Sequence, residues 1–142
     1  MPNTALHHFS RKAGLNFWHL EWCTKYRYNM MKNPEIKNLT EASIRKAAHE
    51  HGIKIHIISV MPDHIHLLAS FPHGMTDSRA MMLLKGRSSY IIFRNREHIR
   101  LRYLQGHFWA AGGCAITVGY NDISTITHYI KNQEQHHSLA VA

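Results

Sequence analysis

Long hydrophobic runs are missing from this chain of 142 residues, and cysteine and acidic side chains are scarce. No apolar stretch approaches the roughly 20 residues that a membrane-spanning helix needs, so we expect no membrane segment. Cys23 and Cys114 show no Cys-x-x-Cys spacing, and we expect two buried, reduced thiols in a cytoplasmic protein. Residues 1–14 lack the apolar core of a signal peptide and are typical of a polar N-terminal arm.

The shortage of acids gives the chain a strong positive charge. Nine acidic residues face 17 lysines and arginines, for a net charge of +8 and an isoelectric point of about 9.8. Such a balance favours polyanionic partners, with nucleic acid first and a membrane surface second.

The hydrophobic pattern predicts one domain that spans residues 1–142. Alternation predicts strands at 16–27, 53–60 and 64–69, and a last strand opened by 107–111 and closed by 114–118. Helices are predicted from Thr40 to His51, from Thr76 or Asp77 to Arg96, and from Asp122 or Ser124 to Gln135. This order indicates an α+β fold: a ferredoxin-like split βαβ arrangement, whose antiparallel sheet carries helices on one face, plus a C-terminal helix.

Two histidines lie two residues apart in the predicted strand at 64–69. Because strand side chains alternate between faces, His64 and His66 point the same way and could ligate one metal ion or hold one phosphate. Pro62-Asp63 before them marks a turn between two strands of a hairpin. The spacing alone is weak, since paired strand histidines also occur as plain surface residues.

The second predicted helix and its tail carry most of the basic charge. Seven basic residues stand among the 24 positions from Arg79 to Arg102, with Glu97 as the one acid. This density favours phosphate contact over a merely solvated face. We expect DNA contacts from Lys85, Arg87, Arg94 and Arg96. Gly86 inside this helix suggests a position of close approach, because glycine is unfavourable there.

In the last predicted helix, Tyr129 and Gln133 are four residues apart and therefore share a face. Taken singly, a helical tyrosine is more often a packing residue and a glutamine is usually solvated. Tyr120, in the turn before this helix, is a rival for any role of Tyr129.

Together, these pieces resemble a known family over residues 16–136. The family is the insertion-sequence 200/605 group of single-strand DNA transposases, within the His-hydrophobe-His superfamily that uses a tyrosine nucleophile. The matching segments are Thr24-Lys25-Tyr26-Arg27, Met61-Pro62-Asp63-His64-Ile65-His66-Leu67-Leu68, Leu84-Lys85-Gly86-Arg87-Ser88-Ser89 and Tyr129-Ile130-x-x-Gln133.

The resemblance implies a role for each matching residue. His64, His66 and Gln133 would bind a divalent metal, Mg²⁺ or Mn²⁺, and Asp63 would either orient His64 or simply begin the turn. Tyr129 would be the nucleophile that cleaves single-stranded DNA, leaving a 5′-phosphotyrosine. The missing Gly-x-x-x-x-Gly-Lys-Ser/Thr phosphate loop agrees with strand rejoining without ATP. The implied partners are hairpin-bearing DNA and a second copy of the chain, whose tyrosine helix acts in trans, in the cytoplasm of a prokaryote.

Three alternatives remain open from the sequence. A non-catalytic nucleic-acid binder on the same fold would display aromatic residues on its sheet instead of histidines. A histidine-triad phosphoryl-transfer enzyme would need a third histidine where this chain has Leu68. A replication-initiator nickase of the same superfamily shares the chemistry, although a chain this short leaves little room for its further domain.

Overall fold

Four strands and three long helices make up the computed structural model, which describes the backbone of residues 16–141 and the side chains of 16–134. The predicted N-terminal arm lies outside this range. The strands are β1 (Phe17–Cys23), β2 (Lys54–Val60), β3 (His64–Ser70) and β4 (Cys114–Val118). The helices are α1 (Pro34–Glu50), α2 (Asp77–Asn95) and α3 (Ile123–Val141). The predicted order of elements is confirmed.

All pairings in the sheet are antiparallel, in the order β2-β3-β1-β4. This is the predicted α+β arrangement, with β2 and β3 forming the expected hairpin. None of the helices in the described range is long and apolar enough to cross a membrane.

The two faces of the sheet are buried by different helices. Alternate residues of β1 and β3, including Leu20, Trp22, Ile65 and Leu67, join the larger apolar cluster with residues of α1 and α2. The opposite face holds a smaller cluster, formed by Phe17, Leu68, Val118, Ile123 and Ile130, and here α3 lies mainly against β2 and β3. Among the helices of residues 16–141, the C-terminal helix is therefore the one on the face that also carries His64 and His66.

The predicted start of α1 at Thr40 is wrong, because the helix begins at Pro34. The Asn33 side chain accepts hydrogen bonds from the backbone N–H groups of Glu35 and Ile36, and proline fits the first helical position. Thr40 lies buried in the second turn, where its hydroxyl donates to the Ile36 carbonyl.

The last strand is shorter than predicted. It begins at Cys114, and the segment 107–111 contributes only an isolated bridge between Trp109 and Thr24. Gly112 and Gly113 adopt positive φ angles of 79° and 145°, so the expected bend lies between bridge and strand. A Cβ atom on Gly113 would lie 2.9 Å from the Glu21 carbonyl oxygen, which explains the glycine. Cys114 is exposed, contrary to the expected burial.

The expected close approach at Gly86 is wrong, since a Cβ atom there would meet nothing within 4 Å. Alanine is the better helix former, so Gly86→Ala should raise the free energy of unfolding by about 0.5 to 1 kcal/mol. Urea denaturation checks this prediction. A destabilised variant would contradict it and would indicate a contact that the free space at Gly86 does not show.

His56 on β2 should make the free energy of unfolding depend on pH. Burial, and to a lesser extent the Lys54 ammonium, lower the pKa of His56 to about 4. The unfolded chain takes up a proton near pH 6.5 and the folded chain only near pH 4, so stability falls as pH drops between them. Allowing for partial exposure, we expect His56→Gln to remove about 1 to 2 kcal/mol of this fall.

Denaturation of both proteins at pH 7 and at pH 4.5 measures the difference. His73→Gln, in an exposed loop, is the matched control and should follow the wild type. If the His56→Gln protein lost as much stability as the wild type on acidification, His56 would not be the responsible group.

Candidate active site

The site is built by the register of β1 against β3. In this pairing Glu21 stands opposite His66, and Cys23 stands opposite His64. Side chains directly opposite each other in an antiparallel pair lie on the same face. The pairing therefore places Glu21 and the two histidines together on the face covered by α3.

Glu21, His64 and His66 form a cluster that could hold a metal ion. Each offers one ligand atom, and these atoms all lie within 4.8 Å of one another. The Nδ1 atom of His66 lies 3.7 Å from a carboxylate oxygen of Glu21. One carboxylate with two imidazoles suits Mn²⁺ better than Mg²⁺, which prefers oxygen ligands.

Burial favours the uncharged form of two imidazoles in this region. The His66 side chain is only 4% exposed, and its burial lowers its pKa to about 4. Burial also lowers the pKa of His19, whose Nε2 atom lies 3.2 Å from Nδ1 of His66. A neutral imidazole keeps the lone pair that a metal ion needs.

Asp63 contacts His64 in the way expected of an orienting residue. Its Oδ1 atom lies 2.7 Å from Nδ1 of His64, and its Oδ2 atom accepts a hydrogen bond from Arg27. Partial burial acts to raise the pKa of Asp63, but the hydrogen bonds from His64 and Arg27 outweigh it, so this pKa lies below its usual value. The Asp63 carboxylate can therefore accept a hydrogen bond from the imidazole N–H of His64.

Tyr129 lies beside the histidines of its own chain. The centroid of its ring is 6.0 Å from that of His66 and 6.2 Å from that of His19, with the rings near perpendicular in both pairs. The next residue, Ile130, is fully buried and fixes this turn of α3 to the sheet. Tyr129 itself is 47% exposed, so its surroundings leave room for a substrate.

Gln133 follows one helical turn later and is half-buried. Its role as a metal ligand stays a prediction. Its neighbour Glu134 accepts a hydrogen bond from the Val60 backbone N–H, which ties α3 to the end of β2. Tyr120 lies in the short turn that precedes α3.

The four predicted DNA-binding residues lie on or just beyond α2, and most have partners within the chain. The Lys85 ammonium donates to the carbonyls of Ala110 and Gly112. The guanidinium of Arg87 pairs with Glu50 at 3.0 Å, and that of Arg96 pairs with Glu35 at 2.6 Å. Arg94 is exposed and lies 3.4 Å from the Tyr90 hydroxyl. Their contacts with DNA stay predictions.

Sequence reasoning missed Glu21 and His19 as members of the site. Alternation along β1 predicts that both share a face with Phe17 and Cys23. Nothing in that pattern says which strand lies alongside. The missing information was the pairing of β1 with β3, which joins residues more than 40 positions apart.

Comparison with known proteins now identifies the family. The profile of the family described as "Transposase IS200 like" matches residues 15–133. The chain belongs to the IS200-like transposase family. One relative is the ISDra2 transposase TnpA of Deinococcus radiodurans, 30% identical over 116 residues, which are 82% of each chain. Another is the transposase for insertion sequence element IS200 of Salmonella typhimurium, also 30% identical, over 82% of this chain and 75% of the relative.

Solved structures agree with this family assignment. A candidate transposase from Deinococcus radiodurans superposes with a TM-score of 0.67 at 28% identity, covering 84% of this chain and 91% of the other. A REP-associated tyrosine transposase bound to a REP hairpin superposes with a TM-score of 0.65 over 86% of this transposase and 68% of the other. At 15% identity, the second match supports the fold alone.

The cluster predicts that Glu21 contributes to metal affinity. Glu21→Gln replaces a charged ligand with a neutral amide, and we expect it to weaken Mn²⁺ binding by at least about tenfold, since even residues behind the ligands have effects of this size. Electron paramagnetic resonance of free Mn²⁺ measures the affinity. Glu41→Gln, which removes an ion pair with Arg45 on α1, is the control. Equal affinity in the two variants would exclude Glu21 as a ligand.

Proposed function

We propose that this transposase cleaves and rejoins single-stranded DNA at hairpin-marked ends, through a 5′-phosphotyrosine on Tyr129. One observation carries the proposal. The Tyr129 ring lies 6.0 Å from the ring of His66, a member of the Glu21–His64–His66 cluster, so a phenol and a set of metal ligands share one face of the sheet.

Glu21, His64 and His66 would hold a divalent cation, Mn²⁺ or Mg²⁺, with the Gln133 side chain as a further ligand. The chemistry supplied by a bound cation is stabilisation of charge that develops on the scissile phosphate. The residues present fit such an ion, because two imidazoles and a carboxylate each offer one ligand atom and these atoms all lie within 4.8 Å of one another.

Tyr129 would attack the phosphorus through its phenolic oxygen and lose its proton to water. The phosphorus–O3′ bond breaks, leaving a 3′-hydroxyl on one fragment and a phosphotyrosine on the 5′ end of the other. The energy of the broken ester bond stays in the phosphotyrosine. A second 3′-hydroxyl can therefore displace Tyr129 and rejoin the strand without another energy source.

The DNA outside the cleavage site would use the basic surface of α2. A groove of about 950 Å³ runs between α2 and the segment that follows it. Arg94 and Arg100 line it beside the exposed side chains of Tyr90, Leu101 and Leu104. Guanidinium groups next to an exposed tyrosine ring suit phosphates and unstacked bases. Lys85, Arg87 and Arg96 would add contacts if their internal partners are exchanged for phosphate.

Assembly would follow the family pattern of a homodimer in the prokaryotic cytoplasm. The family resemblance implies that the tyrosine helix of one subunit serves the histidines of the other. The position of Tyr129 beside its own His66 supports action within one subunit equally well. The placement is a separate question from the chemistry, because the same side chains take part in both cases.

A non-catalytic binder and a replication-initiator nickase are the competing functions. A pure binder has no use for a tyrosine that is 47% exposed beside the buried His66, whose pKa of about 4 keeps it neutral. Membership of a transposase family disfavours the initiator.

Tyr129→Phe is the decisive variant. It removes the nucleophilic oxygen and keeps the ring, so we expect loss of all covalent DNA adduct with little change in stability. Incubation with labelled single-stranded hairpin DNA and Mn²⁺, followed by a denaturing gel, detects the adduct. Duplex DNA and metal-free reactions should give none.

Tyr120→Phe is the matched control and should form the adduct as the wild type does. An adduct that survives in Tyr129→Phe but disappears in Tyr120→Phe would assign the chemistry to Tyr120. A wild type that binds DNA without ever forming an adduct would support the non-catalytic alternative.

A further inference from the structure

The turn after β1 has an unusual backbone. Tyr26 and Arg27 are consecutive non-glycine residues with φ angles of 61° and 51°, in the left-handed region that side chains disfavour. Three hydrogen bonds hold the turn in place: Lys25 N–H to Phe108 O, Arg27 N–H to Thr24 O, and Thr24 hydroxyl to Tyr28 O. The surrounding structure thus imposes a conformation that the residues themselves do not prefer.

This turn contacts Asp63 at two points, its backbone carbonyl and its side-chain carboxylate. The backbone N–H of Thr24 donates to the Asp63 carbonyl at 2.9 Å. The Nε and Nη2 atoms of Arg27 each lie 3.1 Å from Oδ2 of Asp63. The strained conformation places Arg27 where its guanidinium meets the carboxylate, and the backbone contact fixes the distance between the two segments.

The other oxygen of Asp63 faces His64. Its Oδ1 atom accepts a hydrogen bond from Nδ1 of His64 at 2.7 Å. A proton held on Nδ1 leaves the lone pair on Nε2, so this contact selects one tautomer and one ring orientation. Because the guanidinium occupies Oδ2, the carboxylate cannot rotate without breaking both interactions.

We propose that Arg27 is a positioning residue for His64 and acts through Asp63. The ion pair is poorly explained as a stabilising contact, because the Arg27 side chain is 66% exposed and exposed pairs contribute little. The strained turn places the exposed Arg27 against the carboxylate that contacts His64, a candidate metal ligand. A role in fixing the geometry of the site explains this strain. The importance of His64 as a metal ligand rests on the proposed function, whereas its orientation does not.

The first test uses the metal-free protein. Nitrogen-15 NMR of the imidazoles reports the tautomer of His64, which should be the Nδ1–H form in the wild type. Asp63→Ala should give a mixture of tautomers, and Arg27→Gln should shift the populations in the same direction by a smaller amount. Arg45→Gln, which removes another exposed ion pair, on α1, should match the wild type.

The second test is Mn²⁺ affinity, measured by paramagnetic resonance. Residues behind a ligand typically change affinity by about 10- to 100-fold, and Arg27 acts one step further out, so we expect a three- to tenfold loss in Arg27→Gln. Arg27→Lys keeps the positive charge but not the planar guanidinium with its two donors to Asp63. It should therefore recover part of the Mn²⁺ affinity that Arg27→Gln loses. The double variant with Asp63→Ala should bind no more weakly than Asp63→Ala alone.

An unchanged His64 tautomer in Arg27→Gln, or an added loss of affinity in the double variant, would overturn the proposal. If Arg27→Gln fails to fold, Asp63→Ala decides, because it keeps the backbone bond to Thr24; an unaltered tautomer there excludes the relay. A wild type that binds no Mn²⁺ would contradict the proposed metal chemistry, and the tautomer would still decide the role of Arg27.

Discussion

The antiparallel register between β1 and β3 is the constraint on which the site depends. It places Glu21 opposite His66 on one face and Leu20 opposite Leu67 on the other. A slip of one residue would turn every side chain of β1 to the other face. The carboxylate would then enter the apolar layer under α1 and α2, and Leu20 would take its place among the histidines. Because both faces are covered by helices, the core itself enforces the register that brings the candidate ligands together.

The same division of faces explains the position of Tyr129. Helix α3 is attached to the sheet through Ile123 and Ile130, which belong to a cluster separate from the main core. Tyr129 precedes the buried Ile130 and therefore points along the edge of the contact, toward the imidazoles. Among the side chains that the structure describes, the cluster under α3 is smaller than the one that α1 and α2 share. A helix held by few apolar contacts is the element that can move at the lowest cost in free energy.

The parts of this structure that could be predicted from sequence are those set by local periodicity. Alternation places His64 and His66 on one face, and helical spacing places Tyr129 next to the stripe of Ile126 and Ile130. The errors have equally local causes. Asn33-Pro34 has the composition of a linker but serves as a helix start, and the segment 107–111 has the composition of a strand but meets β1 at one bridge only.

Glu21 could not be predicted as a candidate ligand for a different reason. Its partners are fixed by the pairing of strands far apart in the chain, and a single sequence does not record that pairing. The left-handed turn at Tyr26 and Arg27 could not be predicted either, because neither residue is a glycine or asparagine, the types that favour this conformation. Residues whose role depends on contacts with distant parts of the chain show no local sequence pattern. Residues whose role depends on the chemistry of their own side chain can be recognised from the sequence.

The burial of His66 links the fold to the chemistry. A nearly inaccessible imidazole with a pKa of about 4 does not compete for protons in the neutral range, so a cation would displace only water from it. The Glu21 side chain, 44% exposed, would contribute negative charge that an imidazole does not carry. A site made only of uncharged, buried imidazoles would not repel an incoming cation, but it would attract that cation only weakly. With one carboxylate at the rim, the site can attract a cation without adding enough negative charge to repel a DNA phosphate.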